Sequence, residues 1–252
     1  MKEILEKATI FGVACVAVTI MFVTAAVVHL PAVDSAPKAV STIVPATAST
    51  TSLVDEGNVQ ATENIVAEQK KIALTFDDGP HPYYTEQLLE GLKKRGVKAT
   101  FFVTGEHASL HQEVIERMDD EGHLIGNHTY SHIQLTKTNR EQYKEELIAT
   151  SDVLEAIIGK EIVYVRPPYG SWDKSFEKEL NMIPVLWTVD PLDWCSVNVA
   201  CIAENVISNA RENDIILMHD YYESSVTAAL KVVDELLEKG FVFVTVEEIL
   251  FD

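Results

Sequence analysis

The sequence predicts an α/β protein: a distorted or incomplete (β/α) barrel of about seven parallel strands, preceded by one N-terminal transmembrane helix. Three observations lead there. From Lys71 onward, short β-branched or aromatic runs alternate with helical periods, which is the pattern of a parallel sheet covered by helices. The side chains able to do chemistry follow five of those runs: Asp77 and Asp78, then His128, Arg166, Asp190 and Asp193, and His219. An open doubly wound sheet gathers ligands at one or two switch points, whereas five strand ends meet only when the strands close on themselves. Finally, Ala8 to Leu30 is an apolar run of about 23 residues without Lys, Arg, Asp or Glu, long enough to span a bilayer.

Taken in order, Lys71–Phe76 is the first expected strand, and Thr85–Arg95 an amphipathic helix closed by Gly96. Strand Lys98–Val103 precedes helix Gln112–Glu121, closed by Gly122, and the short strand His123–Gly126. A long helix, Asn139–Ile158, stops at Gly159; strand Ile162–Val165, helical stretch Asp173–Leu180 and strand Ile183–Val189 follow. Helix Val199–Arg211, strand Ile215–Met218, helix Ser224–Lys239, strand Phe241–Thr245 and a terminal helical turn complete the chain.

Three regions result: 1–30 as a signal-anchor, 31–70 as a flexible linker rich in Ala, Thr, Ser, Val and Pro, and 71–252 as the catalytic domain. A domain that follows one N-terminal span is expected outside the cytoplasm, held at the cell membrane; Val23–Ala26 offers a cleavage site that would release it as a secreted protein. The 252 residues carry 20 Lys and Arg against 39 Asp and Glu, a formal net charge of -19. Such a surface repels nucleic acid and anionic lipid headgroups, so a neutral or zwitterionic substrate fits better. The sequence leaves the oligomeric state open.

Asp77 and Asp78 end an apolar run just before the turn at Gly79-Pro80. His128 and His132 stand at i and i+4. One Asp with two His forms a site with open positions for water and substrate, as a catalytic zinc requires, and the second Asp is free to act as a base. Each pair alone has a plain alternative, a turn aspartate or a chance His-x-x-x-His. Arg166 leads the stiff loop Arg166-Pro-Pro-Tyr-Gly170 and is positioned to pair with a carboxylate, with the Tyr169 amide as an oxyanion donor. His219 ends an apolar strand and can protonate a leaving amine if a carboxylate sustains its charge; Asp190 is the candidate for that carboxylate. Trp194 and Leu217 would line a pocket sized for a methyl group. Cys195 and Cys201 enclose five residues and are a candidate short-loop disulfide, or else two ordinary small side chains.

Five motifs in order carry a resemblance: TFDDGP at Thr75–Pro80, HTYSH at His128–His132, RPPYG at Arg166–Gly170, DPLDW at Asp190–Trp194 and LMH at Leu217–His219. Over residues 71–252 the chain resembles the NodB-type polysaccharide deacetylases, carbohydrate esterase family four, and in organisation the membrane-anchored peptidoglycan N-acetylglucosamine deacetylases. The resemblance implies Asp77 as general base, oriented by Arg166, and one divalent ion on Asp78, His128 and His132. That ion would be zinc, with cobalt, nickel or manganese as alternatives. It implies His219 as general acid tuned by Asp190, the Tyr169 amide at the oxyanion, and Trp194 and Leu217 around the acetyl methyl. The implied reaction hydrolyses the N-acetyl groups of a cell-surface glycan, foremost peptidoglycan N-acetylglucosamine. N-acetylmuramic acid, chitooligosaccharide or an exopolysaccharide are the alternatives, as is a non-catalytic glycan-binding protein on the same fold.

Overall fold

The computed structural model describes residues 69–251. The expected membrane span and nearly all of the expected linker lie outside those residues. Among the described residues no helix is long and apolar enough to cross a membrane.

The elements run β1 (Lys70–Asp77), α1 (Tyr84–Arg95), β2 (Thr100–Val103), α2 (Gly105–Leu110), α3 (Gln112–Asp120), β3 (Leu124–Asn127), α4 (Arg140–Ile158) and β4 (Tyr164–Val165). They continue through α5 (Ser175–Glu179), β5 (Ile183–Pro184), α6 (Val199–Asn209), β6 (Ile215–His219), α7 (Glu223–Glu238), β7 (Phe241–Val244) and α8 (Val246–Phe251). Every strand pair is parallel; the order is β5-β4-β3-β2-β1-β6, with β7 on the first half of β1.

The expected strand Ile183–Val189 is broken. The amides of Ile183 and Val185 donate to Val163 O and Val165 O of the β4 segment at 2.7 and 2.8 Å, while Pro184 between them turns its nitrogen, which has no N–H to give, to the free edge. The chain then crosses to the opposite edge, where the Thr188 amide donates to Ile215 O and the Leu217 amide to Val189 O, both at 2.9 Å. One segment thus pairs with β4 at one side of an incomplete barrel and with β6 at the other.

Period-two alternation sorts the strand residues between two faces. Ile72, Leu74 and Phe76 of β1, Phe101 of β2, and Ile216 and Met218 of β6 pack outward against Leu88, Leu89 and Leu92 of α1 and the buried face of α7. Ala73, Phe102, Tyr164, Val185 and Ile215 pack together as a second, smaller cluster inside the curl. Following the inner set upward along β1 and β6 leads from Ala73 and Ile215 through Thr75 and Leu217 to Asp77 and His219, which are register partners. The same alternation that fills the core therefore delivers polar side chains at the carboxyl ends of the strands.

Candidate active site

Asp77 is buried at the end of β1, and its carboxylate is matched by the fully buried guanidinium of Arg166. Arg166 Nη1 donates to Asp77 Oδ1 at 2.9 Å and to Thr75 Oγ1 at 2.6 Å. Thr75 in turn donates to Ile216 O at 2.6 Å. The broken strand supplies the rest: Arg166 Nε donates to Val185 O at 3.1 Å and Nη2 to Leu186 O at 3.4 Å. Below it lies the Phe102 ring, 4.3 Å from the guanidinium carbon. A buried charge without these partners would cost several kcal/mol, on the order of 3–5. With them, Asp77 is held in one orientation.

Asp78, His128 and His132 bring one ligand atom each to within 4.8 Å of one another. Both imidazole Nε2 atoms stand 3.4 Å from Asp78 Oδ1. A tetrahedral ion with bonds of about 2.0–2.1 Å spaces its ligands about 3.3 Å apart, so the set fits a cation such as zinc. The hydrogen bonding points the same way. His128 Nδ1 lies 2.6 Å from Arg166 O, a carbonyl that can only accept, so the ring proton sits on Nδ1. Nε2 is then the ring atom left to face Asp78, whose Oδ1 is buried without a hydrogen-bond partner. A cation between them would satisfy both. Burial pushes the Asp78 carboxyl up, but the neighbouring imidazoles of His128, His219 and His132 bring it down to about 2. Burial lowers His132, against the pull of Asp78, which keeps its imidazole neutral as a ligand must be.

Across from the Asp77–Arg166 pair, His219 Nδ1 donates to Asp193 Oδ1 at 2.8 Å, and the His219 amide donates to Asp193 Oδ2 at 2.8 Å. Asp193, not Asp190, is the carboxylate under His219. Asp190 instead accepts the Leu192 amide at 2.8 Å, and this turn, with Leu192 at a φ of 57°, swings Asp193 inward. Burial lowers the His219 pKa, but the Asp193 bond and charge, aided by Asp77 and Asp78, lift it to about 9. The imidazole is thus protonated at neutral pH, with Nε2 free to face the site 3.9 Å from Asp78 Oδ2.

Known proteins resolve what this geometry belongs to. The family profile described as polysaccharide deacetylase matches residues 64–185. The solved structure of peptidoglycan deacetylase PdaC from Bacillus subtilis superposes with a TM-score of 0.70 at 40% identity, covering 72% of this chain and 90% of that one. The chain belongs to the polysaccharide deacetylase family. A curated peptidoglycan-N-acetylglucosamine deacetylase of Bacillus cereus is 40% identical over 182 residues, 69% of this chain and 66% of the relative. Full-length PdaC, a peptidoglycan-N-acetylmuramic acid deacetylase, is 39% identical over 74% of this chain, which spans 40% of its length. A pseudoenzyme of the same esterase family from Bacillus anthracis is also similar, at 26% identity and a TM-score of 0.67, covering 72% of this chain and 66% of that one.

In this polysaccharide deacetylase chain the site opens into a pocket of about 450 Å³ lined by the charged groups together with Tyr169, Trp187, Trp194, Leu217 and Tyr222. Leu217 is buried and Trp194 and Tyr169 are exposed on the rim, the Tyr169 ring 5.1 Å from His132. Asp190 lines the same pocket without touching His219 through any hydrogen bond among the described residues. Cys195 and Cys201 are not bridged. Both are free and exposed; the Cys195 thiol donates to Leu192 O, while Cys201 sits in the first turn of α6, its amide capped by Asn198.

Sequence reasoning assigned no role to four residues in and around this site. Asp193 was visible as a second Asp three positions on, but only the loop geometry chooses between the two. Thr75, Asp220 and His107 carry no chemical signature of their own. Asp220 is fully buried against Gly79, where a Cβ would come within 2.4 Å of its carboxylate, and accepts a hydrogen bond from Thr85. Burial lifts its pKa to about 7, in spite of the Thr85 bond.

Proposed function

We propose that this chain is a metal-dependent hydrolase that removes N-acetyl groups from a cell-surface glycan, with peptidoglycan N-acetylglucosamine as its substrate. One observation carries the reading. A three-ligand cation site lies between a carboxylate fixed by a buried arginine and an imidazole fixed by a buried carboxylate. General base and general acid therefore flank the place where an amide carbonyl would sit.

Asp78, His128 and His132 would hold the ion, for which zinc is the candidate and cobalt, nickel or manganese the alternatives. Bound there, the ion supplies Lewis acidity toward the acetyl carbonyl and lowers the pKa of water. The remaining work falls to the chain. Asp77, oriented by Arg166, takes the proton of the attacking water. The Tyr169 amide is assigned to the developing oxyanion. His219, charged by Asp193, hands its Nε2 proton to the departing amine, so that acetate and a glucosamine unit leave. Trp194 and Leu217 receive the methyl group.

The substrate choice is supported by the named activities of the relatives and by the apolar N-terminal run, which we read as tethering the domain outside the cell near its wall. N-acetylmuramic acid is the second reading, favoured by the named activity of PdaC. A non-catalytic role has a precedent in the pseudoenzyme, but the presence of both Asp77 and His219 argues for catalysis. The test is to incubate the full-length protein, supplied with zinc, with defined muropeptides and chitooligomers. Acetate release is measured and the altered sugars mapped by mass spectrometry. Release that survives Asp77→Asn or chelation rejects the mechanism; deacetylated muramic acid alone selects the second substrate.

A further inference from the structure

A short turn that the sequence gives no reason to single out ties together the two loops that carry the metal ligands. Within Thr104–His107, the Thr104 amide donates to Gly79 O at 3.2 Å, beside Asp78. The next two amides, of Gly105 and Glu106, donate to Thr129 O and Tyr130 O at 3.0 Å each, between His128 and His132. His107 closes the set: its Nδ1 lies 2.7 Å from the carbonyl of Asp78 itself. A carbonyl only accepts, so Nδ1 carries the proton and donates. The ring is fixed in turn by stacking on Tyr221, with centroids 5.3 Å apart and planes at 24°. Gly105 is required because a Cβ would fall 2.3 Å from the Tyr130 ring.

Asp78 needs such a hold. Its φ of 73° lies in the left-handed region, which a non-glycine residue adopts at a cost, and that conformation turns its carboxylate toward the two imidazoles. Thr129 and His132, at φ of 63° and 57°, share the condition. Groups that hydrogen-bond a metal ligand from outside typically change metal affinity by about 10–100-fold when removed. We propose that His107 is a positioning residue of the metal centre: by donating to the Asp78 carbonyl it holds the ligand's backbone in the binding conformation and so sets the affinity for the cation.

The inference rests on the metal reading above, and its test separates the two. Full-length apoprotein is titrated with zinc or cobalt against a chromophoric chelator, without substrate. His107→Ala is expected to bind about ten-fold more weakly or worse. His107→Asn, whose amide nitrogen takes nearly the place of Nδ1, is expected to recover affinity to within about three-fold. At saturating metal, KM for the glycan should be unmoved in both. A wild-type protein that binds neither metal overturns the metal reading. Wild-type binding with undiminished affinity in His107→Ala overturns this inference alone. So does an Asn variant as weak as the Ala variant while its apoprotein melts at the wild-type temperature. Equal losses in melting temperature for both variants would likewise assign His107 to the fold and overturn the proposal.

Discussion

His219 and Asp193 are joined twice, through the ring Nδ1 and through the backbone amide, each at 2.8 Å. The double bond to one carboxylate fixes both the ring and the strand end that bears it. It mirrors the other flank of the site, where Arg166 fixes Asp77. Base and acid are thus each held by a buried partner of opposite charge.

The first prediction concerns that pair. With a pKa of about 9, His219 is protonated through neutral pH, and the activity that depends on its proton falls as pH rises toward that value. The stabilisation from the pair has the same sign: it is complete below the ordinary histidine value of about 6.5 and lost as pH rises through about 9. Asp193→Asn should move the alkaline limb of kcat/KM down toward about 6.5, which by itself costs about four-fold at pH 7, and the loss of the ring's orientation brings the total to about 100-fold. Asp190→Asn, which keeps an acceptor for the Leu192 amide, should leave the limb in place. The measurement is the pH profile of both variants.

Arg166 is the second. Arg166→Leu leaves the Asp77 carboxylate buried without its partner, a loss of about 3–5 kcal/mol, or on the order of 6–20 °C in Tm for a domain of this size. Restoring neutrality with Asp77→Asn in the same chain should regain part of that loss in Tm but no activity. Thermal melts of the two single variants and the double variant give the coupling directly.

These partners show where sequence reading stopped. With the choice of Asp78 over Asp77 resting on the family resemblance alone, the incomplete barrel, the polar ends of its strands and the pair His128 and His132 were legible from periodicity and spacing. The partner of His219 was not. Asp190 and Asp193 are both acidic and both follow the same strand, and only the left-handed turn at Leu192 decides which carboxylate faces inward. The break after Pro184 was also missed, although a proline inside Ile183–Val189 signals an edge or an interruption; what the break accomplishes, freeing the carbonyls of Val185 and Leu186 for Arg166, is a contact between distant segments. Helix α2 is only six residues long and begins with glycine, so neither period nor propensity announces it.

Asp220 yields a third prediction, about stability alone. Its carboxyl titrates near 7 in the folded protein against an ordinary value of 3.8. The folded state therefore holds a proton that the unfolded state has released, and the stability this group contributes is present below about 4 and lost as pH rises through 7. Asp220→Asn keeps the shape and the acceptor for Thr85 while removing the charge. The variant should melt several degrees above wild type at pH 8, by about half as much at pH 5, and within a degree or two of it at pH 4. A larger gain at pH 5 than at pH 8 would contradict the assignment.

Metal removal is the last. Asp78 Oδ1 is buried without a hydrogen-bond partner and faces His128 Nε2 at 3.4 Å, so a cation that enters between them stabilises the folded state. Binding should therefore appear as a rise in Tm that grows with metal concentration. At about 100 times Kd the gain is about 2.7 kcal/mol, which for this size corresponds to roughly 5–11 °C. His132→Ala removes one of three ligands without emptying the core, since His132 is partly exposed. That variant should fold as the apoprotein does yet lose most of the metal-dependent rise. Arg166→Leu, by contrast, should lower Tm with and without metal by similar amounts. Melting curves across a zinc titration for the three proteins distinguish a ligand from a scaffold. A wild-type Tm that is insensitive to zinc, cobalt, nickel and manganese would remove the cation from the site.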